Sequence, residues 1–378
     1  MGPSGSRHGR EPRLLILTPD YPPGPGGIQV SSERYAQGIS SFQTHVLTLD
    51  SPGARAFDDA HTATVTRVGA EHLPRGARNV LLNAGALRRA RAFRPDVILS
   101  MHIVTSPAAA AIRRRLGARF VQLFHAEELG IRPKLAAFAA READVVVAVS
   151  TYTESLIAAL GPTRAAMRIV SPGVDLPADH AQSLAAAPTV LTISRLTERY
   201  KGHDTMARAW PLVLAKVPDA HWVVIGEGRL RAGVEALLAA YGVSGSASFT
   251  GAVDDAERDR RLREAHVYAM PSRLPGPGFA GEGFGIAYLE AGAYGKPVVA
   301  CNVGGALDSV LDGETGLLVE PDEPLALADA IARLLLDSEL ARRLGEAGRA
   351  HAQEYEWPRV AARMRGVLLE AIACERST

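Results

Sequence analysis

The sequence predicts an α/β protein of two domains, each a parallel sheet covered by helices. Short apolar runs, each long enough for one strand, alternate with amphipathic stretches along the chain. Nearly continuous apolar strands are typical of a parallel sheet that is buried on both faces. The alternation restarts after a polar, alanine-rich linker at residues 177–188, and the 378 residues suffice for two cores of ordinary size.

The first domain is predicted over residues 13–176, after a polar and basic leader at residues 1–12. The leader lacks the apolar segment of a signal peptide, so we expect it to be disordered. Strands are predicted at residues 14–18, 44–49, 96–100, 120–124, 145–149 and 168–170. Helices are predicted at residues 30–38, 86–93 and 151–160.

The second domain is predicted over residues 177–355, followed by a last helix at residues 356–378. Strands are predicted at residues 189–193, 221–225, 248–250, 267–269, 297–300 and 317–319. Ligands of open α/β sheets bind at the carboxyl ends of the strands. Residues that directly follow these runs are therefore the candidates for a functional site.

Composition excludes several classes of protein. The net charge of +1 argues against a nucleic-acid-binding protein, although the first half of the chain is positive and the second half negative. The longest apolar runs have the length of a strand, far short of the roughly 20 residues of a spanning helix. Cys301 and Cys374 cannot form a metal cage or a disulfide framework. We expect a cytoplasmic protein with reduced thiols.

Two glutamates, Glu282 and Glu290, flank a glycine-rich turn that leads into a helix. Gly283 and Gly285 let a ligand approach the backbone, and the N-terminus of the helix attracts anions. Carboxylates beside it can accept hydrogen bonds from hydroxyl groups. The pattern indicates a bound sugar phosphate, against the simpler alternative of two solvated acids in a loop.

Two cations follow the first strand of the second domain. Arg195 lies directly after the strand and Lys201 precedes the next helix. Arginine suits bidentate contact with a diphosphate, and lysine supplies a point charge. Gly226 follows the next strand and would allow close approach of a nucleotide. The alternative is that both cations are solvated.

The motifs of the second half occur in the order of a known family: residues 270–273, the two glutamates, residues 296–300, Gly304-Gly305 and residues 312–319. They resemble the retaining glycosyltransferases of family 4. The resemblance implies the GT-B architecture, two Rossmann-like domains that face each other across a cleft, with the last helix crossing back to the first domain. It also implies transfer of a hexose from a nucleoside diphosphate sugar to an acceptor hydroxyl by same-face attack, without metal or other cofactor.

The resemblance assigns roles to individual residues. Arg195 and Lys201 would hold the diphosphate of the donor and stabilise it as it leaves. Glu282 would bind the sugar hydroxyls and Glu290 the ribose. The other donor-binding residues would be Gly26, Gly27, Gly226, Val253, Gly283, Phe284, Gly285 and Ile286.

Two histidines follow strands of the first domain. The resemblance places His125 against the transferred sugar, and His102 is a candidate for contact with the acceptor. Either could instead be structural, and Gly26-Gly27 could be a stiff turn because prolines precede it.

No Asp-x-Asp pattern at a strand end is available for a metal-nucleotide complex. The pairs Asp58-Asp59 and Asp254-Asp255 are predicted to lie in loops or helix caps. Because Arg195, Lys201 and a helix N-terminus can neutralise a leaving diphosphate, no metal is required.

Three features look most like the actinobacterial branch of the family: Ser272-Arg273 with the extended loop before Glu282, residues 218–220 and residues 249–253. That branch includes phosphatidylinositol-mannoside mannosyltransferases that use GDP-mannose. UDP-glucose and UDP-N-acetylglucosamine remain open as donors, and the acceptor remains open between a glycolipid, another glycan and a soluble small molecule. Two other functions also remain: a glycosidase with two carboxylates, and a non-catalytic protein that binds sugar nucleotides.

Eight arginines of the first domain are predicted to cluster around two helices. They are Arg88, Arg89, Arg91, Arg94, Arg113, Arg114, Arg115 and Arg119. Basic residues near a bilayer are attracted by anionic lipid. The cluster suggests peripheral attachment to the inner membrane face, with a solvated basic surface as the alternative.

Overall fold

The computed structural model describes residues 10–24, 26–69, 71–179, 183–274, 276 and 281–374. It divides into two compact units. The first contains the chain up to Val149, Glu154–Val170 and the chain from Trp357 onward; the second contains Ser150–Thr153 and Ser171–Glu356.

A seven-stranded parallel sheet forms the centre of the first unit. Its strands are β1 (Arg13–Leu17), β2 (Gln43–Leu49), β3 (Val65–Val68), β4 (Val97–Ser100), β5 (Arg119–Phe124), β6 (Val145–Ala148) and β7 (Ala166–Ile169). The spatial order is β3-β2-β1-β4-β5-β6-β7. Residues 14–17 of β1 are fully buried because helices cover both faces of a parallel sheet.

Helices connect these strands. They are α1 (Gly27–Gly38), α2 (Ala54–Ala60), α3 (Arg75–Phe93), α4 (Ser106–Leu116), α5 (Ala126–Ile131), α6 (Pro133–Glu142) and α7 (Thr151–Ala158). The sequence analysis missed β3, and the reason is physical. This strand has four residues, lies at the edge of the sheet and leaves all four partly exposed, so it lacks the apolar pattern of a buried strand.

A six-stranded parallel sheet forms the centre of the second unit, and all six strands were predicted. They are β8 (Thr189–Ile193), β9 (His221–Ile225), β10 (Ala247–Gly251), β11 (Val267–Met270), β12 (Val298–Cys301) and β13 (Gly316–Val319), in the order β10-β9-β8-β11-β12-β13. The helices are α8 (His203–Lys216), α9 (Arg231–Ala240), α10 (Asp255–Glu264), α11 (Ile286–Ala293), α12 (Ala306–Ser309), α13 (Pro324–Leu336) and α14 (Ser338–Gln353). Trp210 and Trp222 pack against each other in its core, with ring centroids 5.9 Å apart.

The last helix, α15 (Trp357–Ala373), belongs to the first unit. Trp357 meets Tyr35 of α1 edge to face, with ring centroids 6.0 Å apart. Both side chains are buried, so the contact adds apolar area to the first core.

Cys301 is buried and Cys374 is exposed, as expected of a core and a surface thiol. Asp254 caps α10 by accepting a hydrogen bond from the amide of Glu257, which confirms its predicted role as a cap. Within the described ranges, we find no helix that combines the length and the apolar character needed to cross a bilayer.

Candidate active site

A buried ion pair joins two of the predicted site residues. Lys201 ends a short 3-10 turn after β8, and its Nζ lies 2.5 Å from Oε2 of Glu282, in the loop before α11. The two side chains are only 14% and 13% exposed. Burial alone would lower the pKa of Lys201, but the charges of Glu282, Tyr200 and Glu198 outweigh it and raise the pKa. Lys201 is therefore a stable cation beside a carboxylate.

The turn between Glu282 and α11 is held by its carbonyl groups. The Glu282 carbonyl accepts a hydrogen bond from the amide of Gly305, and the Gly283 carbonyl accepts one from the hydroxyl of Ser150 at 2.6 Å. Gly285 has φ 90°, and a Cβ there would lie 2.4 Å from the ring of Tyr288. The turn therefore requires a glycine at this position.

The amide groups of this turn are available to a ligand. Among the residues that the structure describes, we find no acceptor for the amides of Gly285 and Ile286, which open α11. Phe284, between Gly283 and Gly285, is buried against the ring of Tyr355, with centroids 5.5 Å apart. Unpaired amides at a helix N-terminus form a ready site for an anion.

Glu290, one turn into α11, forms an ion pair that the sequence analysis did not anticipate. Its Oε2 lies 2.5 Å from a guanidinium nitrogen of Arg258 in α10. Burial would lower the pKa of Arg258, but the charge of Glu290 more than compensates and raises it. No signal in the sequence distinguishes Arg258 from the other arginines of α10, because the partner of Glu290 is fixed only by how α10 and α11 pack.

Arg195 differs from Lys201. It lies at the carboxyl end of β8 as predicted, but its side chain is 72% exposed and its partner is Glu198, 3.3 Å away. No described contact joins it to the pair of Lys201 and Glu282. Its role in binding a diphosphate stays a prediction.

Gly226 follows β9, at the same edge of the sheet. It has φ 136°, and a Cβ there would lie 2.0 Å from the carbonyl oxygen of Ser194. The glycine therefore lets two loops of the protein pack together, and its contact with a nucleotide stays a prediction. Val253, after β10, is partly buried against the adjacent core.

A second network that sequence reasoning missed fixes residues 272 and 273, just after β11. Arg273 contacts Asp204 at 3.0 Å and Asp322 at 2.6 Å, and it also bonds the hydroxyl of Thr205. Ser272 is fully buried and accepts a hydrogen bond from Tyr288 of α11. The contacts of Arg273 tie these two residues to the start of α8 and to the segment after β13.

The site candidates of the first unit follow β1, β4 and β5. Gly26 and Gly27 precede and begin α1. His125 follows β5, and burial lowers its pKa to about 4, although a hydrogen bond with the backbone of Met101 opposes the shift. His102 follows β4, and burial together with neighbouring positive charge lowers its pKa to about 3. Both rings are therefore neutral at pH 7.

The eight arginines predicted to cluster lie in or beside α3 and α4, and several of them have partners within the first unit. Arg113 binds Asp144 through two nitrogens, Arg114 binds Glu142, Arg89 contacts His45, and Arg119 is largely buried. The ion pairs of Arg113 and Arg114 offset their charges within the fold, whereas the His45 ring beside Arg89 is neutral because burial lowers its pKa to about 4. The exposed members are Arg88, Arg91, Arg94, Arg114 and Arg115.

Among the described residues, no three histidine, cysteine or acidic side chains are grouped so that they could hold a metal ion.

Comparison with known proteins identifies the family. Two family profiles match consecutive parts of the chain: Glycosyltransferase Family 4 over residues 25–177 and Glycosyl transferases group 1 over residues 178–351. The GDP-mannose-dependent alpha-(1-6)-phosphatidylinositol monomannoside mannosyltransferase of Mycobacterium tuberculosis is 35% identical over 93% of this chain and 97% of its own length. The chain belongs to glycosyltransferase family 4. The resemblance seen in the sequence is thereby confirmed.

Two further comparisons agree with the family and with the fold. The enzyme of the same name from Mycolicibacterium smegmatis is 34% identical over 94% of this chain and 98% of its own length. Among solved structures, sucrose-phosphate synthase from Thermosynechococcus elongatus superposes with a TM-score of 0.80 at 21% identity, covering 97% of this chain and all of that one. The predicted GT-B fold of two Rossmann-like domains is confirmed.

Proposed function

We propose that this glycosyltransferase moves mannose from GDP-mannose, with retention of configuration, to a hydroxyl of a phosphatidylinositol mannoside. The observation that carries the chemistry is the buried pair of Lys201 and Glu282 beside the open amides of α11. The relatives supply the donor and the acceptor, since those from two actinobacteria are named for GDP-mannose and this glycolipid. UDP-glucose and UDP-N-acetylglucosamine are the alternative donors.

The geometry supports a division of labour within the second unit. Lys201 has three N–H donors, of which one points to Glu282, so two remain for phosphate oxygens. The Oε1 atom of Glu282 remains an acceptor for sugar hydroxyls. Glu290, oriented by Arg258, would accept hydrogen bonds from the ribose. The exposed side chain of Arg195 would turn from solvent to contact the diphosphate.

Leaving-group stabilisation would come from protein groups. Lys201, Arg195 and the amides of α11 would meet the negative charge that develops as the diphosphate departs. The departing phosphate would take the proton of the acceptor hydroxyl on the same face of the sugar, so neither glutamate acts as nucleophile. His125 would lie beside the transferred sugar. No metal and no further cofactor enters this scheme.

The two rival functions explain less of the site. A glycosidase needs one carboxyl group that serves as a proton donor. Here each glutamate lies 2.5 Å from a lysine or an arginine, which leaves neither suited to that task. A non-catalytic nucleotide-binding protein would have no use for His125. Hydrolysis of a nitrophenyl glycoside without nucleotide would favour the glycosidase.

A transfer assay tests the proposal. Purified protein with GDP-mannose and phosphatidylinositol monomannoside should form the dimannoside with an α linkage, at the same rate in EDTA as in Mg²⁺, because protein cations neutralise the diphosphate. UDP-glucose and UDP-N-acetylglucosamine serve as donor controls. Loss of transfer in EDTA that Mg²⁺ restores would contradict the leaving-group chemistry. An absence of both transfer and donor hydrolysis would favour the non-catalytic alternative.

Peripheral binding to an anionic membrane is the second part of the proposal. An exposed stripe runs along α3 at helical spacing, apolar at Val80 and Ala84 and basic at Arg88 and Arg91. Val80 is 68% exposed. An apolar and basic stripe of this kind suits a helix that lies on anionic lipid. The protein would then work at the inner membrane face, without contact with nucleic acid.

We expect the protein to sediment with vesicles that contain phosphatidylinositol or phosphatidylglycerol, and less so as salt is raised, because salt screens surface charge. Arg88→Glu should weaken binding by at least about 1 kcal/mol, since each basic residue near the surface contributes about that much. Arg55→Glu, on α2 and 96% exposed, changes the net charge equally and should have little effect. If the protein stays in the supernatant at low salt, a soluble acceptor becomes the better interpretation.

A further inference from the structure

Glu128 is a buried acid to which the scheme above gives no task. It lies in the first turn of α5, directly after His125, and is only 6% exposed. Its Oε1 accepts a hydrogen bond from the amide of His125 at 3.1 Å, and its Oε2 accepts one from the amide of Ile103 at 3.0 Å. One carboxyl group thus links the turn after β5 to the turn after β4.

The same carboxyl group touches the ring of His102. Nδ1 of that ring lies 3.2 Å from Oε2 of Glu128 and accepts a hydrogen bond from the amide of Val104 at 3.1 Å. A ring nitrogen that accepts a hydrogen bond carries no proton. The neutral ring must then carry its proton on Nε2, for which we find no partner among the described residues.

Two lone pairs cannot face each other at this distance without cost, so the contact requires a proton on one of the two atoms. Because Nδ1 already accepts from Val104, that proton belongs on the carboxyl group of Glu128. Burial is the largest effect and raises the pKa of Glu128 to about 8, although the two amide hydrogen bonds lower it. The pKa of His102 is lowered to about 3. At pH 7 the pair is therefore uncharged.

Charged groups from neighbouring elements reinforce this state. The negative charges of Asp20 and Glu127 raise the pKa of Glu128 further. The positive charges of Arg75 and Arg132 lower the pKa of His102, as would a charge on His125.

We propose that Glu128 is a positioning residue. Through its two amide hydrogen bonds it holds the turn from which His125 projects against the turn that follows His102, and as an uncharged group beside Nδ1 it lets His102 keep the hydrogen bond from Val104, with Nε2 as a donor. The ring of His125 offers a second nitrogen to a ligand, because its Nε2 is buried and has no partner among the described residues. A donor on one ring and an open nitrogen on the other would hold a hydroxyl group of the bound substrate. This inference rests on the proposed function only where activity is the readout.

The pH dependence of the rate follows from the carboxyl group. Below pH 8 Glu128 is uncharged; above pH 8 it ionises, and a negative charge beside Nδ1 favours a proton on that atom, which removes the donor from Nε2. Turnover of the wild-type protein should therefore fall as the pH rises through about 8. In Glu128→Gln the side chain stays uncharged at every pH but its NH₂ group opposes the amide of Ile103, so turnover should be lower than wild type, with no fall near pH 8.

The experiment compares Glu128→Gln and Glu128→Leu with Glu127→Gln, a neighbouring exposed acid. Glu128→Leu should lower kcat by on the order of 10²-fold, as a misplaced group does. It should leave the affinity for GDP unchanged, whereas Glu127→Gln should behave as wild type. A fall near pH 8 that persists in Glu128→Gln, or an equal loss in Glu127→Gln, would overturn the proposal.

A second measurement does not depend on activity. Long-range ¹H–¹⁵N NMR of protein labelled at histidine should show His102 neutral with its proton on Nε2 at pH 7, and a shift toward the Nδ1–H tautomer above pH 8. Glu128→Leu should keep the Nε2–H tautomer at both pH values, because the amide of Val104 still donates to Nδ1. A wild-type tautomer that does not change above pH 8, or a change that persists in Glu128→Leu, would overturn the inference. If Glu128→Leu does not fold, Glu128→Gln tests the inference instead. In that variant His102 should keep its proton on Nε2 up to pH 9. If the wild type transfers no sugar, the proposed function fails and the NMR result still tests Glu128.

Discussion

Replacing Lys201 with methionine is expected to reduce transfer by about 10²-fold or more, because a preorganised cation that meets the leaving diphosphate is lost. Stability should fall as well. Glu282 is 13% exposed and would be left as a buried charge without its partner, a change that costs about 3 kcal/mol or more. Denaturant unfolding and steady-state kinetics measure the two effects separately.

The double variant Lys201→Met/Glu282→Gln separates structure from chemistry. Neither partner is then charged, so most of the lost stability should return. Transfer should not return, since neither the diphosphate nor the sugar hydroxyls regain their contacts. Recovery of turnover in the double variant, or near wild-type turnover in Lys201→Met, would show that the pair is only structural.

Arg195→Ala should lower transfer by on the order of 10²-fold and leave the free energy of unfolding nearly unchanged. The reason is that the side chain is 72% exposed and forms an ion pair with Glu198 alone among the described residues, so the fold gains little from it. Arg195→Lys should restore part of the activity, since lysine keeps the charge but not the two-pronged contact. Kinetics with GDP-mannose, together with the affinities for GDP and GMP, provide the measurement.

Arg199→Ala is the matched control. Arg199 lies in the same segment after β8, is exposed and has the same charge. The Arg199→Ala variant should transfer sugar at the wild-type rate. If Arg199→Ala and Arg195→Ala lose activity equally, the effect is a general one of positive charge near the site, and the specific role of Arg195 is wrong.

Much of the second unit was predictable because its strands can be recognised from short stretches of sequence. The four inner strands, β8, β9, β11 and β12, are short and largely apolar runs whose residues are mostly buried, and burial on both faces of a parallel sheet demands that pattern. The positions of Arg195 and Lys201 after β8, and of Glu282 in the loop before α11, followed directly. Strand β3 did not, since an edge strand with partly exposed residues carries no such pattern.

What the sequence by itself determined is which residues stand at the carboxyl ends of the strands, together with the family to which the chain belongs. Tertiary structure decided which of them meet. Lys201 and Glu282 are 81 positions apart, and Glu290 meets Arg258 across two helices.

The same distinction applies to charge. Arg113 and Arg114 belonged to a predicted basic cluster, yet each binds an acid of the first unit that lies about 30 residues away. Glu128 resembled any acid in the first turn of a helix, until packing buried it against His102. Ion pairing and burial depend on distances between chain segments that are remote in sequence, and only the folded packing sets those distances.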